Sequence, residues 1–204
     1  MGTRNLTCVI KDGKYRVAQY GQWDGYPEGQ GINILNFLKK MDRSLFEKKL
    51  DMVSWATEDE LNQMWAEAGA DLESPFVSMD IAEKHKKLYP ENSRDIGSDV
   101  LKIIQSTERP LKLKNSIDFA KDSLFCEWAY IINLDDNTLE VYEGFNKTPL
   151  TSKDRFFYMQ NDEMEYYPVK LVVAFELDNL PKGEEFVKKI NEKSRYGVEF
   201  NSNC

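Results

Sequence analysis

Residues 6–20 read LTCVIKDGKYRVAQY and place two β-prone runs on either side of a turn. The runs, residues 6–10 and 15–20, are rich in β-branched and aromatic side chains. Asp12-Gly13 between two such runs is a strong hairpin signal. Because a lone two-stranded hairpin is only marginally stable in water, we expect this one to join a larger sheet.

Helical signals fill most of the chain from residue 32 to residue 110. The predicted helix starts are the apolar run from Ile32, two capping boxes (Ser44 with Glu47 and Thr57 with Glu60), the cap Ser78 and the pair Gly97-Ser98. We expect Trp65 to lie on the buried face of the helix that follows Thr57, with Leu61, Met64 and Ala68. His85 stands among lysines and is expected on a solvated helix face.

Strand signals return after residue 124. The predicted segments are a hairpin formed by residues 125–134 and 138–142, a strand at 155–160, a strand at 169–177 buried on both faces, and a terminal helix that buries Phe186, Val187 and Ile190. We therefore predict one α+β domain over residues 1–204. Its sheet is mainly antiparallel or mixed, and residues 44–110 form a helical insertion packed on it.

Composition limits the classes of function. The chain has 204 residues and a formal net charge of −8, which argues against binding of duplex nucleic acid through its phosphates. The three widely spaced cysteines, Cys8, Cys126 and Cys204, form no disulfide framework or metal-binding pair. No apolar run reaches the length of a membrane helix. We predict a cytoplasmic protein without a cofactor, and the oligomeric state stays open.

Residues 19–31 read QYGQWDGYPEGQG and are the first candidate for a site. We call this segment the signature loop. Its glycines allow close backbone approach, its aromatic rings offer flat faces, and its glutamines can read donors and acceptors. The competing interpretation is structural: the glycines serve a tight turn, while Trp23 and Tyr26 plug the end of the sheet.

The hairpin register is expected to bring residues 3–5 opposite residues 20–22. The predicted ligand-binding residues are Thr3, Arg4, Asn5, Gln19, Gln22, Trp23, Asp24, Tyr26, Glu28, Gly29, Gln30 and Gly31. Trp23 and Tyr26 would stack on a planar group. Arg4 and the backbone N–H groups of residues 29–31 would hold an anionic group. Alternatively, Arg4 forms a structural ion pair with Asp24 or Glu28.

Three hypotheses for function follow. The first is binding of a small polar, nucleotide-like anionic molecule at the signature loop. The second is hydrolysis of amide or phosphoester bonds, with Asp24 and Glu28 as acid, base or Mg²⁺ ligands, or with Thr3 as an N-terminal nucleophile after trimming. The third is an interaction module whose aromatic loop docks on a partner protein.

The opening residues 1–7 (MGTRNLT), followed by residues 18–31 (AQYGQWDGYPEGQG), resemble a family of uncharacterised proteins from bacteria, their phages and fungi. Residues 126–130 (CEWAY) are similar to a recurring segment of the same family. The resemblance implies that the signature loop is the identifying feature of the family, and it carries no catalytic or binding residues with it. A phage origin would suit sequestration of a host immune signalling nucleotide.

Overall fold

The computed structural model describes residues 2–194, which form an α+β fold as predicted. The strands are β1 (Asn5–Lys11), β2 (Lys14–Gly21), β3 (Val53–Trp55), β4 (Leu111–Leu113), β5 (Trp128–Asn133), β6 (Thr138–Glu143) and β7 (Lys170–Glu176). The α-helices are α1 (Ile32–Lys40), α2 (Arg43–Leu50), α3 (Glu58–Ala68), α4 (Met79–Leu88), α5 (Val100–Ser106) and α6 (Gly183–Lys193). Each of these helices is too short or too polar to cross a membrane.

A five-stranded mixed sheet in the order β2-β1-β5-β6-β7 joins the two ends of the chain. Asn5 pairs with Gly21 of β2 on one side and with Trp128 of β5 on the other. The β1–β5 pairing is parallel and the other neighbours are antiparallel. The expectation that the N-terminal hairpin shares a sheet with the C-terminal strands is therefore confirmed. Asp12 and Gly13 both have positive φ, as the tight hairpin turn requires.

The sheet separates two apolar cores, because side chains alternate between its faces. On one face, Val9 packs with buried residues of α1, α2, α5 and α6, such as Leu35 and Phe186. On the other face, Cys8 packs with Cys126 and Phe156, which come from irregular segments. The helices thus cover one face and loops cover the other, and the predicted packing of the helical middle on the sheet is confirmed.

A small second sheet, which the sequence pattern did not predict, joins a strand within the helical middle to one just after it. Strands β3 and β4 are three residues each and pair in parallel, with Val53 opposite Leu111. The Thr57–Glu60 capping box at the start of α3 is confirmed, and Gly69 ends this helix in a left-handed conformation. The predicted box of Ser44 with Glu47 is wrong, because the N-cap of α2 is the Asp42 carboxylate.

Two predicted C-terminal strands differ from the structure. Strand β7 lies at the edge of the sheet with Leu171 exposed, so the prediction of burial on both faces is wrong. Residues 155–160 do not form a strand. They contain the helical turn Phe157–Met159, and the ring of the preceding residue, Phe156, is buried in the core on the loop-covered face of the sheet. The predicted hairpin strand begins at Trp128 rather than residue 125, because the N–H of Cys126 bonds in a turn to Asp122.

Candidate functional site

Backbone N–H groups of the signature loop donate hydrogen bonds to backbone carbonyl oxygens of the same loop. The N–H groups of Gly29 and Gly31 donate to the carbonyl of Tyr26, at 3.0 and 3.3 Å. The N–H of Gln30 donates to the carbonyl of Asp24 at 2.8 Å. These are the three amides expected to hold an anionic group, and the structure instead pairs each of them with a carbonyl oxygen.

A π-helical turn, Pro27–Gly31, carries the loop directly into α1. This turn needs glycine at position 29, because a Cβ there would collide with the carbonyl oxygen of Asp24. The loop is also tied to the core, since the Tyr130 hydroxyl donates to the Gly25 carbonyl at 2.8 Å. This half of the signature loop is thus a packed structural element, as the structural interpretation expects.

Asn5 at the start of β1 and Thr3 just before it are buried and support the loop. The Thr3 carbonyl accepts from the N–H of Gly25 at 2.9 Å. The Asn5 side-chain amide donates to the carbonyls of Gly21 and Trp23, at 3.3 and 3.2 Å. The sheet pairs Asn5 with Gly21 and Leu6 with Tyr20, one position away from the predicted register because of an irregularity between Val9 and Ile10, and this pairing anchors the loop.

Arg4 points to a different part of the molecule. Its guanidinium lies 4.7 Å from the ring centroid of Phe125, and its backbone N–H donates to Glu127 at 3.3 Å. The exposed Glu28 instead accepts from Asn191 at 3.3 Å. The structure therefore does not bring the Arg4 guanidinium together with the signature loop or with the carboxylates proposed as its partners.

Gln22 and Trp23 of the signature loop form hydrogen bonds to the chain segment at residues 94–95. The backbone N–H of Gln22 donates to the Arg94 carbonyl at 3.0 Å, and the Arg94 guanidinium donates back to the Gln22 side chain. The Trp23 indole N–H donates to Asp95 at 3.0 Å. Trp23 and Tyr26 remain about half exposed, at 49% and 46%.

Gln30 attaches the signature loop to the helical turn that follows residues 94–95. Its side-chain oxygen accepts from both the N–H and the hydroxyl of Ser98, at 2.9 and 2.6 Å. Its side-chain amide donates to the Trp23 carbonyl at 3.3 Å. One glutamine therefore connects the signature loop to the short helical turn Gly97–Asp99.

Residues 92–95 form one wall of a large cleft beside β2. The cleft has a volume of about 1080 Å³ and lies between β2, the α3–α4 pair and the segment around residues 114–122. Of the predicted site residues, it is lined by Gln19 and Gln22. It lies next to the signature loop but is not formed by its glycine-rich part.

Two aromatic pairs line the cleft. Trp65 of α3 stacks on His85 of α4 with ring centroids 3.8 Å apart and an interplanar angle of 12°. Tyr20 of β2 meets Phe119 edge to face, with centroids 4.9 Å apart. His85 is buried, so the expectation of a solvated position is wrong, whereas Trp65 is only partly buried and falls short of the expected burial.

Burial lowers the pKa of His85, and the nearby Glu91 carboxylate raises it, with a net shift downward. His85 is therefore a neutral ring at neutral pH. Acidic and basic groups also line the cleft: Glu58, Glu83, Asp95, Asp118 and Asp122, with Lys86, Arg94 and Lys114. Lys86 pairs with Asp95 at 3.2 Å, so part of this charge is compensated.

A second polar cluster, unexpected from the sequence, lies on the loop-covered face of the sheet. Glu140 of β6 accepts from the guanidinium of Arg155, from the Tyr142 hydroxyl at 2.5 Å and from Asn133 at 3.3 Å. Burial raises the pKa of Glu140, but the hydrogen bonds from Arg155 and Tyr142 outweigh it and the net shift is downward. A shallow cavity of about 460 Å³ borders this cluster.

Within residues 2–194, no group of three or more His, Cys, Asp or Glu side chains is arranged as a metal site. Comparison with known proteins gives no match to a family model, to a curated protein or to a solved structure. The candidate site therefore depends on the geometry of the cleft alone.

Proposed function

We propose that this protein binds a small molecule with a flat, hydrogen-bonding ring, such as a nucleoside or nucleotide, in the cleft beside β2. The observation that carries the proposal is the presence of two aromatic pairs in one cleft, Trp65 with His85 and Tyr20 with Phe119. A volume of about 1080 Å³ is at the upper end for small-ligand sites. This proposal moves the predicted ligand from the glycines of the signature loop to the adjacent cleft.

The lining chemistry supports a nucleoside-like ligand more than a simple anion. Aromatic rings in a partly water-excluded cleft favour a planar heterocycle. Carboxylates such as Asp118 and Asp122 accept hydrogen bonds and suit the hydroxyl groups of a sugar. A phosphate would require the cations, Arg94 above all, because its planar guanidinium can bind phosphate oxygens in pairs.

The experiment is a titration of the purified protein with the four ribonucleosides, their monophosphates and cyclic nucleotides. Binding would be followed by thermal shift and calorimetry. A ligand at a hundred times its Kd should stabilise the fold by about 2.7 kcal/mol. Trp65→Leu, which removes a ring but keeps apolar bulk, should weaken binding at least tenfold.

Tyr158→Leu is the matched control, because Tyr158 is an exposed aromatic residue that does not line the cleft. It should leave the affinity unchanged. If no compound in the panel binds, or if Trp65→Leu and Tyr158→Leu behave alike, the proposal fails. Analysis of the same mixtures for hydrolysis products tests the hydrolase alternative. The family resemblance and the cytoplasmic location remain predictions.

A further inference from the structure

The connection from α3 to α4 presents large apolar side chains to solvent. Phe76 is 84% exposed, and Met79, the first residue of α4, is 80% exposed. Leu72 and Val77 in the same stretch are exposed as well. We call residues 72–79 the docking patch. Single exposed apolar residues are ordinary on a protein surface, but several of them close together in the chain indicate an interaction site.

Hydrogen bonds fix the backbone that carries the docking patch. The Ser74 hydroxyl donates to the carbonyl of Phe76 at 3.0 Å and accepts from the N–H of Phe76 at 3.2 Å. The Ser78 hydroxyl accepts from the N–H of Ile81 at 3.4 Å and so caps α4. A patch on a defined backbone loses less conformational entropy when a partner binds than a flexible segment would.

The chain around the docking patch is acidic. Residues 56–83 contain eight acidic residues and no Lys, Arg or His. Their summed charge equals the formal net charge of the whole chain, −8, so the rest of the chain is balanced. Within residues 2–194, Glu60 alone among the eight lies within ion-pair distance of a cation, Lys112, at 3.1 Å. The eight residues are Glu58, Asp59, Glu60, Glu67, Asp71, Glu73, Asp80 and Glu83.

We propose that the docking patch binds a basic segment of a partner protein, in which apolar side chains stand beside Lys or Arg. The partner's apolar side chains would cover Phe76 and Met79, and its cations would face Asp71, Glu73 and Asp80. A second copy of this chain is a poor fit, because a two-fold contact would set the same acidic segment against itself. Nucleic acids and anionic membranes are repelled by the same charge.

The probe is a set of synthetic amphipathic peptides of about 18 residues, or five helical turns. Each has Leu, Met or Trp on one face and Lys on the other. Binding to the full chain is followed by fluorescence anisotropy. The affinity should fall about tenfold or more when the Lys residues are replaced by Glu, or the apolar residues by Ser. It should also fall between about 50 and about 300 mM NaCl, because salt screens the charge contacts.

Phe76→Ser tests the apolar part of the docking patch. Because Phe76 is exposed, the variant should keep the thermal stability of the wild type and bind the Lys peptides about tenfold more weakly. Tyr158→Ser is the matched control, since it removes an exposed aromatic ring from another part of the surface. It should leave the affinity unchanged.

The triple variant Asp71→Asn, Glu73→Gln and Asp80→Asn tests the charge contacts. It should weaken binding and flatten its dependence on salt. The control removes three charges from another exposed loop, by Asp162→Asn, Glu163→Gln and Glu165→Gln, and should keep the affinity. Phe76 and the three substituted acidic residues of the docking region do not line the cleft. These variants should therefore bind nucleosides as the wild type does, which makes the test independent of the function proposed above.

The inference is refuted if none of the Lys peptides binds, or if the Glu peptides bind as well as they do. Equal losses in the two triple variants would also refute it, because net charge alone would then explain the binding. Light scattering covers the remaining occupant. If the wild type is a dimer that Phe76→Ser converts to a monomer, a second copy covers the docking patch and the proposed partner is wrong.

Discussion

Trp23 donates its indole N–H to Asp95, 72 residues later in the chain, at 3.0 Å. Asp95 also accepts from Lys86 of α4, so one carboxylate connects the signature loop to a helix that lines the cleft. Partial burial raises the pKa of Asp95, but the hydrogen bonds from Trp23 and Lys86 outweigh it and the net shift is downward. The signature loop therefore helps to shape the cleft, because Trp23 fixes the position of Asp95 in the cleft wall.

Trp23→Phe tests this relationship, because the substitution keeps a ring and removes the indole donor. We expect a loss of stability no larger than about 1.5 kcal/mol, the usual worth of one hydrogen bond. We also expect faster amide exchange over residues 92–98, measured by mass spectrometry. Tyr26→Phe, in an equally exposed aromatic residue of the same loop, is the control. Unchanged exchange in Trp23→Phe would show that the wall does not depend on this contact.

Gly29→Ala is expected to destabilise the fold, because the new Cβ would meet the rigid carbonyl of Asp24. Overpacking of this kind costs about 1–3 kcal/mol, measurable by urea unfolding. Gly183→Ala at the first residue of α6 is the matched control, since its Cβ would meet only the mobile end of Ile32 at 3.3 Å. That variant should stay within about 0.5 kcal/mol of wild type. Equal stabilities for both variants would contradict the described loop geometry.

Arg155→Met is expected to cost about 3–5 kcal/mol, because it leaves the buried Glu140 carboxylate without its charge partner. The double variant Glu140→Leu with Arg155→Met should be more stable than Arg155→Met alone, since no buried charge remains. Lys102→Met breaks the exposed Asp99–Lys102 pair and should cost less than about 1 kcal/mol. If Arg155→Met were as mild as Lys102→Met, Glu140 would not be effectively buried.

His85 should make stability depend on pH in a predictable direction. Its pKa is lowered in the folded protein, so between the folded pKa and the unfolded value of about 6.5 the unfolded state binds more protons. Stability is therefore fully present above about pH 6.5 and declines as the pH falls towards the folded pKa. His85→Phe keeps a ring against Trp65 and removes the titration. Urea unfolding should show a smaller loss of stability for His85→Phe than for wild type between about pH 7 and about pH 5.5.

Much of the fold could be predicted because its signals are local. Asp12-Gly13 has the two positive φ angles that its sequence indicates, and the Thr57–Glu60 box needs only four consecutive residues. The strand at 169–177 was misjudged because an apolar run does not show whether a strand lies at the centre or the edge of a sheet. That property depends on the strand order, which is a property of the whole chain.

The candidate site was harder to predict for a similar reason. Of the residues predicted from the composition of the signature loop, Gln19 and Gln22 line the cleft, and their role in ligand binding stays a prediction. Trp65 and His85 come together only because α3 packs on α4, and a helical repeat of apolar residues looks the same in a core and in a cleft wall. The pairing of Glu140 with Arg155 also depends on tertiary structure, since it forms across a loop that covers the sheet.

The parallel pairing of β1 with β5 has a consequence for synthesis on the ribosome. Residues joined across this pair, such as Arg4 and Glu127, are 123 positions apart. At 5–20 residues per second, translation leaves the inner edge of β1 without its native neighbour for roughly 6–25 seconds. During that interval a strand containing Leu6, Cys8 and Val9 has apolar side chains that are buried only in the finished fold. The nascent hairpin therefore has an unpaired strand edge and exposed apolar side chains that a chaperone would shield during synthesis.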